Sequence, residues 1–137
     1  MKPATGEWVA KAEGDFRTAR REHLAAELPN YDAACFHAQQ TAEKYLKARL
    51  VEAELVFPRI HDLEALLNLA LPLEPDWHDL REAVQRLTDM AVEVRYPGLM
   101  ADAEDAAEAG RTATRVRAAV RMALGLDAPP EDLRDRR

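Results

Sequence analysis

The segment between Asp32 and Tyr45 constrains the fold most strongly, because its composition favours a helix and no other regular structure. It is rich in Ala, Gln, Glu and Lys and contains neither Gly nor Pro. At the helical period of about 100° per residue, a small-residue face gathers Ala34, Cys35, Ala38, Ala42, Tyr45 and Leu46. A second face, the polar stripe, consists of His37, Gln40, Lys44 and Lys47, within about 80° of each other. A solvated face more often carries mixed Glu and Lys, so the polar stripe is the first candidate for a functional surface.

The rest of the chain is also divided into helical segments, and no strand pattern is visible. We predict helices over about 7–27, 31–54, 62–70, 76–96 and 102–124, separated by Pro and Gly. The predicted helix starts are marked by the capping residues Asn30, Asp62, Asp76 and Asp102 with Asp105. The expected fold is therefore all-α: an up-and-down bundle of four long helices and one short helix. It forms a single domain over 1–125, followed by a disordered tail over 126–137. Gly110 lies inside the last helix, where it predicts the close approach of another helix.

Composition narrows the class of protein. The chain has 137 residues, of which 47% are hydrophobic and 32% charged, as in a globular domain with its own core. No apolar run is long enough for a membrane span, and the first residues lack the apolar centre of a signal peptide. The single cysteine, Cys35, fits a reducing compartment, so we expect a cytoplasmic protein.

The formal net charge of −6 argues against a general nucleic-acid scaffold, although it leaves room for a local anion site. Four arginines crowd the last helix, but their helical angles divide them into two pairs on different sides. These are Arg111, Arg115, Arg117 and Arg121. We interpret them as a solvated helix surface that balances the acidic residues at the start of the same helix.

Asp15 is unusual because it lies on the apolar side of the first helix, where an unpaired carboxylate is costly. It requires a cation or several donors, and Lys44 and Arg95 are the natural candidates. Two interpretations stay open: a structural ion pair that ties helices together, or part of a functional site.

The segment Arg95-Tyr96-Pro97-Gly98 ends the fourth helix at a forced break, where side chains can line a cleft. Arg95 is suited to holding a phosphate through paired hydrogen bonds. A cation at a helix C-terminus is equally favourable to the helix dipole, so position alone does not decide its role.

The four histidines do not predict a metal site, because none of them forms a recognised ligand spacing and there are no paired cysteines. His61 and His78 stand beside helix starts as surface or capping residues. The sequence also lacks a Gly-rich phosphate loop and a Ser-His-Asp pattern. We therefore expect neither a metal nor a cofactor.

Taken in order, these landmarks resemble the HEPN family (higher eukaryotes and prokaryotes nucleotide-binding domain). The residues that carry the resemblance are Trp8, Ala12 and Asp15; Tyr31-Asp32; Phe36 to Gln40; Ala42 to Lys47; Phe57-Pro58-Arg59; His61-Asp62-Leu63; Glu93 to Pro97; and Glu104-Asp105-Ala106. The resemblance covers about residues 5–125. It implies a helical bundle that assembles as a homodimer, often encoded beside a small nucleotidyltransferase and in some pairs acting as toxin and antitoxin.

Many HEPN proteins are metal-independent ribonucleases that place an Arg-x4–6-His motif in a cleft at the dimer interface. Here Arg95 occupies the place of the arginine, but Tyr96 through Asp105 contain no histidine. The resemblance is therefore to a branch with an Arg-Tyr-Pro segment and without that motif.

We expect a non-catalytic module that binds a nucleotide or RNA and acts with a nucleotidyltransferase partner. The expected ligand-binding residues are His37, Gln40, Lys44, Lys47, Arg95 and Tyr96, with Asp15 and Glu43 orienting them. One alternative is a divergent metal-independent ribonuclease in which His37 or His61 acts with Arg95. A second alternative is a purely structural dimerisation module whose polar stripe meets its own copy.

Overall fold

Helix α2 organises the fold, since the other helices pack around it. The computed structural model describes residues 1–94 and 96–126, which form five α-helices, one 3₁₀ helix and no strand. The helices are α1 (Pro3–Leu24), α2 (Tyr31–Glu52), α3 (Leu63–Ala70), α4 (Arg81–Glu93) and α5 (Ala103–Ala123), and the 3₁₀ helix is Pro75–Leu80. The all-α bundle expected from the sequence is confirmed.

Helix α2 is central because it is buried on nearly every side. Twelve of its 22 residues are buried, more than a single apolar stripe provides. The entire small-residue face is buried, as its composition indicates, with Tyr45 and Leu46 fully enclosed. The polar residues Gln39, Glu43 and Lys47 are buried as well. Polar groups in such a position need partners inside the protein, and this requirement shapes the candidate site.

Local signals set most helix starts. Asn30 caps α2 by accepting a hydrogen bond from the backbone N–H of Ala33, at 2.9 Å, and Asp62 caps α3 in the same way. Asp102 and Asp105 form a reciprocal capping box at the start of α5. These three predictions are confirmed.

Three boundaries differ clearly from the prediction. Helix α1 begins at Pro3 rather than Glu7, because proline is well tolerated in the first turn, where its missing N–H is no loss. It ends at Leu24 rather than Glu27. Asp76 does not cap α4: it lies within the 3₁₀ helix, which buries Trp77 and Leu80, and α4 begins only at Arg81.

The close approach predicted at Gly110 is wrong. A Cβ atom added there meets no other atom within 4 Å, apart from its own helix. The reason is that α1 and α5 both pack mainly on α2 and contact each other much less, which leaves a groove between them beside Gly110.

Arg95 and the predicted tail beyond Leu126 lie outside the described residues. Within the part of the chain that the structure describes, no helix is both long and apolar enough to cross a membrane.

Candidate functional site

The polar stripe meets α1 at Asp15. One oxygen of the Asp15 carboxylate lies 2.5 Å from Lys44 Nζ, and the other lies 2.8 Å from His37 Nδ1. Asp15 is largely buried, and both partners are more exposed than it is. The expected pairing of Asp15 with Lys44 is present, and His37 completes it. The positive charge of Lys44 is thereby neutralised within the protein.

The second half of the stripe is held by Glu43. Its carboxylate accepts hydrogen bonds from Lys47 Nζ at 2.9 Å and from Gln39 at 3.2 Å, and it lies 3.0 Å from His61 Nδ1. The Glu43 and Lys47 side chains are only 4% and 9% exposed, whereas His61 is 76% exposed. Burial raises the pKa of Glu43, but the hydrogen bonds from Lys47 and His61 outweigh it, so the net pKa lies below its usual value.

Aromatic rings add to the enclosure of Lys47. Its ammonium group lies 5.5 Å from the centre of the Trp8 ring and 6.0 Å from that of Phe57, within cation–π range. The periodicity of α2 does not reveal either contact, because both rings come from other parts of the chain. The only sequence signal for them was the resemblance, which includes Trp8 and Phe57.

Gln40 joins the Glu43 half of the stripe, since its amide donates to Gln39 Oε1 at 2.9 Å. Gln39 also donates to the backbone carbonyl of His61 at 3.0 Å. Sequence analysis missed Gln39, which a helical wheel places apart from the stripe.

His37 is the stripe residue that still has a ring nitrogen available to a ligand or substrate. Its Nδ1 is fixed by Asp15, and among residues 1–94 and 96–126 its Nε2 has no hydrogen-bond partner. Its ring meets Phe36 edge to face, with centroids 5.2 Å apart. A carboxylate that fixes one imidazole nitrogen and leaves the other free is the arrangement used in general acid–base catalysis.

Tyr96 is not brought together with the stripe in the structure. It lies in the turn after α4 with 61% of its surface exposed, and its backbone N–H donates to the Glu93 carbonyl at 3.2 Å. Within the described ranges its side chain has no hydrogen bond to any residue of α2. Arg95, the remaining predicted ligand residue, lies outside those ranges.

A second polar cluster, which the sequence did not predict, joins α1 to α5. Arg117 donates two hydrogen bonds to the Glu13 carboxylate, at 2.6 Å and 3.0 Å. The Tyr45 hydroxyl donates to the same carboxylate through a short hydrogen bond, and Arg121 donates to that hydroxyl at 3.2 Å. The expectation that the arginines of α5 are simply solvated is therefore wrong for Arg117 and Arg121, because Glu13 of α1 reaches them.

The pKa values in this cluster follow from its charges. Burial raises the pKa of Glu13, but the hydrogen bonds from Arg117 and Tyr45 bring it below the usual value. Burial, together with the hydrogen bond to Glu13, raises the pKa of Tyr45 to about 12. The Glu13–Arg117 pair stays ionised at neutral pH and is a structural link between helices rather than a proton-transfer site.

The groove beside Gly110, here called the α1–α5 groove, has a volume of about 560 Å³. Its floor is apolar and includes Phe16, Ala19, Ala34, Ala106, Gly110 and Ala113. Its rim is basic and consists of Arg20, His23, Arg111 and Arg115. Next to it, Arg17 and Arg21 form a shallower depression with Arg20 and Leu24. Sequence analysis missed this surface because it combines residues of two helices far apart in the chain.

Metal binding finds no support in the geometry. In the described segments, no group of three or more His, Cys, Asp or Glu side chains is arranged to hold an ion.

Comparison with known proteins places the chain in a family. The profile of the HEPN domain matches residues 5–123. The crystal structure of an archaeal HEPN homologue superposes with a TM-score of 0.67 and 26% sequence identity, over 88% of this chain and 97% of that one. No curated protein matches the sequence significantly. The profile spans most of the chain, and the likeness to the archaeal structure agrees with it. The protein belongs to the HEPN domain family.

Proposed function

We propose that the protein is a non-catalytic HEPN module that acts by binding a protein partner, in a dimeric assembly with a small nucleotidyltransferase. The observation that carries the proposal is the open α1–α5 groove, whose apolar floor is uncovered in the single chain. Uncovered apolar surface of this kind is typical of interaction sites. The nucleotidyltransferase and the dimer come from the resemblance to other HEPN proteins.

The state of the polar stripe supports binding through the groove rather than through the stripe. Lys44 and Lys47 are each neutralised by a carboxylate of the same chain, at 2.5 Å and 2.9 Å. A phosphate at this place must compete with Asp15 and Glu43 for those cations, and both carboxylates repel it. The stripe is therefore better suited to holding α1, α2 and His61 together than to binding an anion.

Nucleotide or RNA binding is a second candidate, favoured by a different set of cations. In the described parts of the chain, Arg17, Arg20 and Arg21 are exposed and have no ion-pair partner. Arginine is the residue best suited to phosphate because it donates two hydrogen bonds in a fixed plane. This candidate moves the phosphate contacts from Lys44 to the exposed side of α1.

Ribonuclease activity, as in a toxin of a toxin–antitoxin pair, is favoured only by the Asp15–His37 contact. The Nε2 atom of His37 is positioned to exchange a proton with a substrate, in the manner of a general base. Lys44, the cation that shares Asp15 with His37, is already paired, so among residues 1–94 and 96–126 this contact supplies no free cation to stabilise the charge of a phosphorane transition state.

The test of the proposed function is co-expression with a small nucleotidyltransferase from the same genome, followed by size-exclusion chromatography and sedimentation. We expect the two proteins to elute together at a defined stoichiometry. Separate elution, with this protein sedimenting as a monomer at micromolar concentration, would contradict the proposal.

Two further measurements separate the other candidates. Labelled RNA and nucleotides are titrated with the wild type, Lys44→Ala and Arg20→Ala, and metal-free RNA cleavage is measured for the wild type and His37→Ala. Binding that Arg20→Ala weakens and Lys44→Ala does not would establish the nucleic-acid candidate. Cleavage that is lost in His37→Ala would establish the ribonuclease.

A further inference from the structure

The α1–α5 groove has a shape that can accommodate one additional helix. Its floor lies between two long helices and consists mainly of small side chains, among them Ala19 and Ala106. Gly110 keeps the middle of the floor low, since no neighbouring atom lies within 4 Å of a Cβ placed there. An additional helix can therefore approach α5 closely without displacing any side chain.

The charges around the groove are of one sign. Arg20, Arg111 and Arg115 stand on the rim together with His23, and among the described residues no carboxylate lines the groove. The chain as a whole carries a net charge of −6, so this rim is a local reversal of its charge. Arg111 lies 3.5 Å from Glu104, but both side chains are exposed, and pairs of this kind are weak enough to exchange partners.

An exposed apolar side chain lies at the end of the groove. Leu24 lies at the C-terminus of α1 and lines the groove, with 66% of its surface exposed. Leu28, in the following turn, is 95% exposed and has a positive φ of 47°, which is unfavourable for leucine. Leu28 lines a separate depression with Pro29 and Met100, so it is an exposed apolar side chain near this end of α1 but not part of the groove.

The positive charge of the rim distinguishes among the molecules that could occupy the groove. A twofold dimer formed through this groove would bring the arginine rims of two copies together, because such an interface is made of the same patch twice. A nucleic acid would match the rim but gain little from a floor made mainly of alanine methyl groups, because it needs aromatic rings for stacking and Phe16 is buried in that floor. An amphipathic helix with an apolar stripe between acidic side chains matches both the floor and the rim.

We propose that the α1–α5 groove binds an amphipathic helix of a partner protein, with its apolar stripe on the alanine floor and its Asp or Glu side chains paired with Arg20, Arg111 and Arg115. This inference rests on the proposed partner-binding function and specifies the surface and the chemistry of the partner. The position of Gly110 makes it directly testable.

The probe is a fluorescein-labelled helical peptide of about five turns, with leucines at helical spacing and glutamates on both flanks. A second peptide has lysines in place of the glutamates. Fluorescence polarisation is measured with the wild type and with Gly110→Leu, which fills the groove. The matched control is Ala123→Leu, which adds the same side chain at an exposed position of α5 outside the groove lining. A variant with Arg20→Glu and Arg111→Glu reverses the rim. Circular dichroism verifies that each variant is folded.

We expect the glutamate peptide to bind at least about tenfold more tightly than the lysine peptide, and binding to weaken as salt rises. Gly110→Leu should weaken binding by about tenfold or more, Ala123→Leu should leave it unchanged, and the reversed rim should prefer the lysine peptide. Absence of glutamate-peptide binding, or equal binding by the wild type and Gly110→Leu, would overturn the proposal.

The nucleotidyltransferase complex separates this inference from the proposed function. If the complex forms equally well with Gly110→Leu, the function stands and the groove is not its site. If RNA competes with the glutamate peptide and binds more tightly, the groove belongs to a nucleic acid and the inference fails. Self-association that Gly110→Leu abolishes would assign the groove to a second copy of the chain and likewise overturn it.

Discussion

Replacing Glu43 with glutamine tests whether the polar stripe is structural. The substitution preserves shape but removes the negative charge beside Lys47, whose side chain is 9% exposed. Breaking a buried ion pair by removing one partner costs about 3–5 kcal/mol, because the remaining charge is buried and water does not take the place of the lost partner. Glutamine retains one oxygen that accepts a hydrogen bond from Lys47, so we expect a loss near 3 kcal/mol.

The assay is urea unfolding followed by circular dichroism, together with thermal unfolding. A loss of about 3 kcal/mol lowers the melting temperature by roughly 10 °C in a domain of this size. The control is Glu104→Gln, which removes the carboxylate of the exposed pair with Arg111 and should cost less than about 1 kcal/mol. Glu43→Gln combined with Lys47→Met removes both charges, and we expect most of the stability to return.

The reasoning fails if Glu43→Gln and Glu104→Gln lower stability equally. In that case Lys47 does not depend on Glu43 and is available to a ligand, as the sequence alone suggests. A double variant no more stable than Glu43→Gln would also contradict the argument, because the cost would then come from lost packing rather than from an unpaired charge.

Three further outcomes are expected. Burial raises the pKa of Cys35 to about 12, so the folded protein should not react with a thiol reagent at pH 8, and unfolding in urea should expose one thiol. The folded-state pKa values of Glu13 and Glu43 lie below the usual value of 4.5, so the unfolded chain takes up protons first as the pH falls through that value. Stability should therefore be complete above that pH and decline below it, and the urea midpoint of Glu43→Gln should decline less steeply. Gly110→Ala should raise stability by about 1 kcal/mol, measured as a higher urea midpoint with an unchanged slope.

The fold was accessible from the sequence because its signals are local. Proline, glycine and capping residues such as Asn30 and Asp62 act within one helical turn, so the pattern alone identifies the helices they bound. The wrong prediction for the start of α4 has a physical cause as well. Trp77 and Leu80 fit the apolar spacing of α4, but the sequence does not distinguish a 3₁₀ turn that buries both of them from an α-helical start.

The candidate site was accessible only in part, because its meaning depends on contacts between helices. The apolar positions around Asp15 in the sequence predict that it needs a cation, and Lys44 supplies that cation. The pairing of Glu13 with Arg117 spans 104 residues, and no spacing along the chain indicates it. Glu43 and Lys47 are four residues apart, as in any solvated helix, so the pattern does not show that both are buried.

The distribution of charge on α1 explains why the two faces of this protein differ. The carboxylates Glu13 and Asp15 point into the bundle, where Arg117 and Lys44 neutralise them. Arg17, four residues after Glu13 on the outer side of α1, is exposed and loses the carboxylate that could otherwise have neutralised it along the helix. It adds a positive charge to the depression beside the groove, in a chain whose net charge is −6. The pairing of Glu13 inside the bundle thus contributes to the basic character of the surface next to the groove.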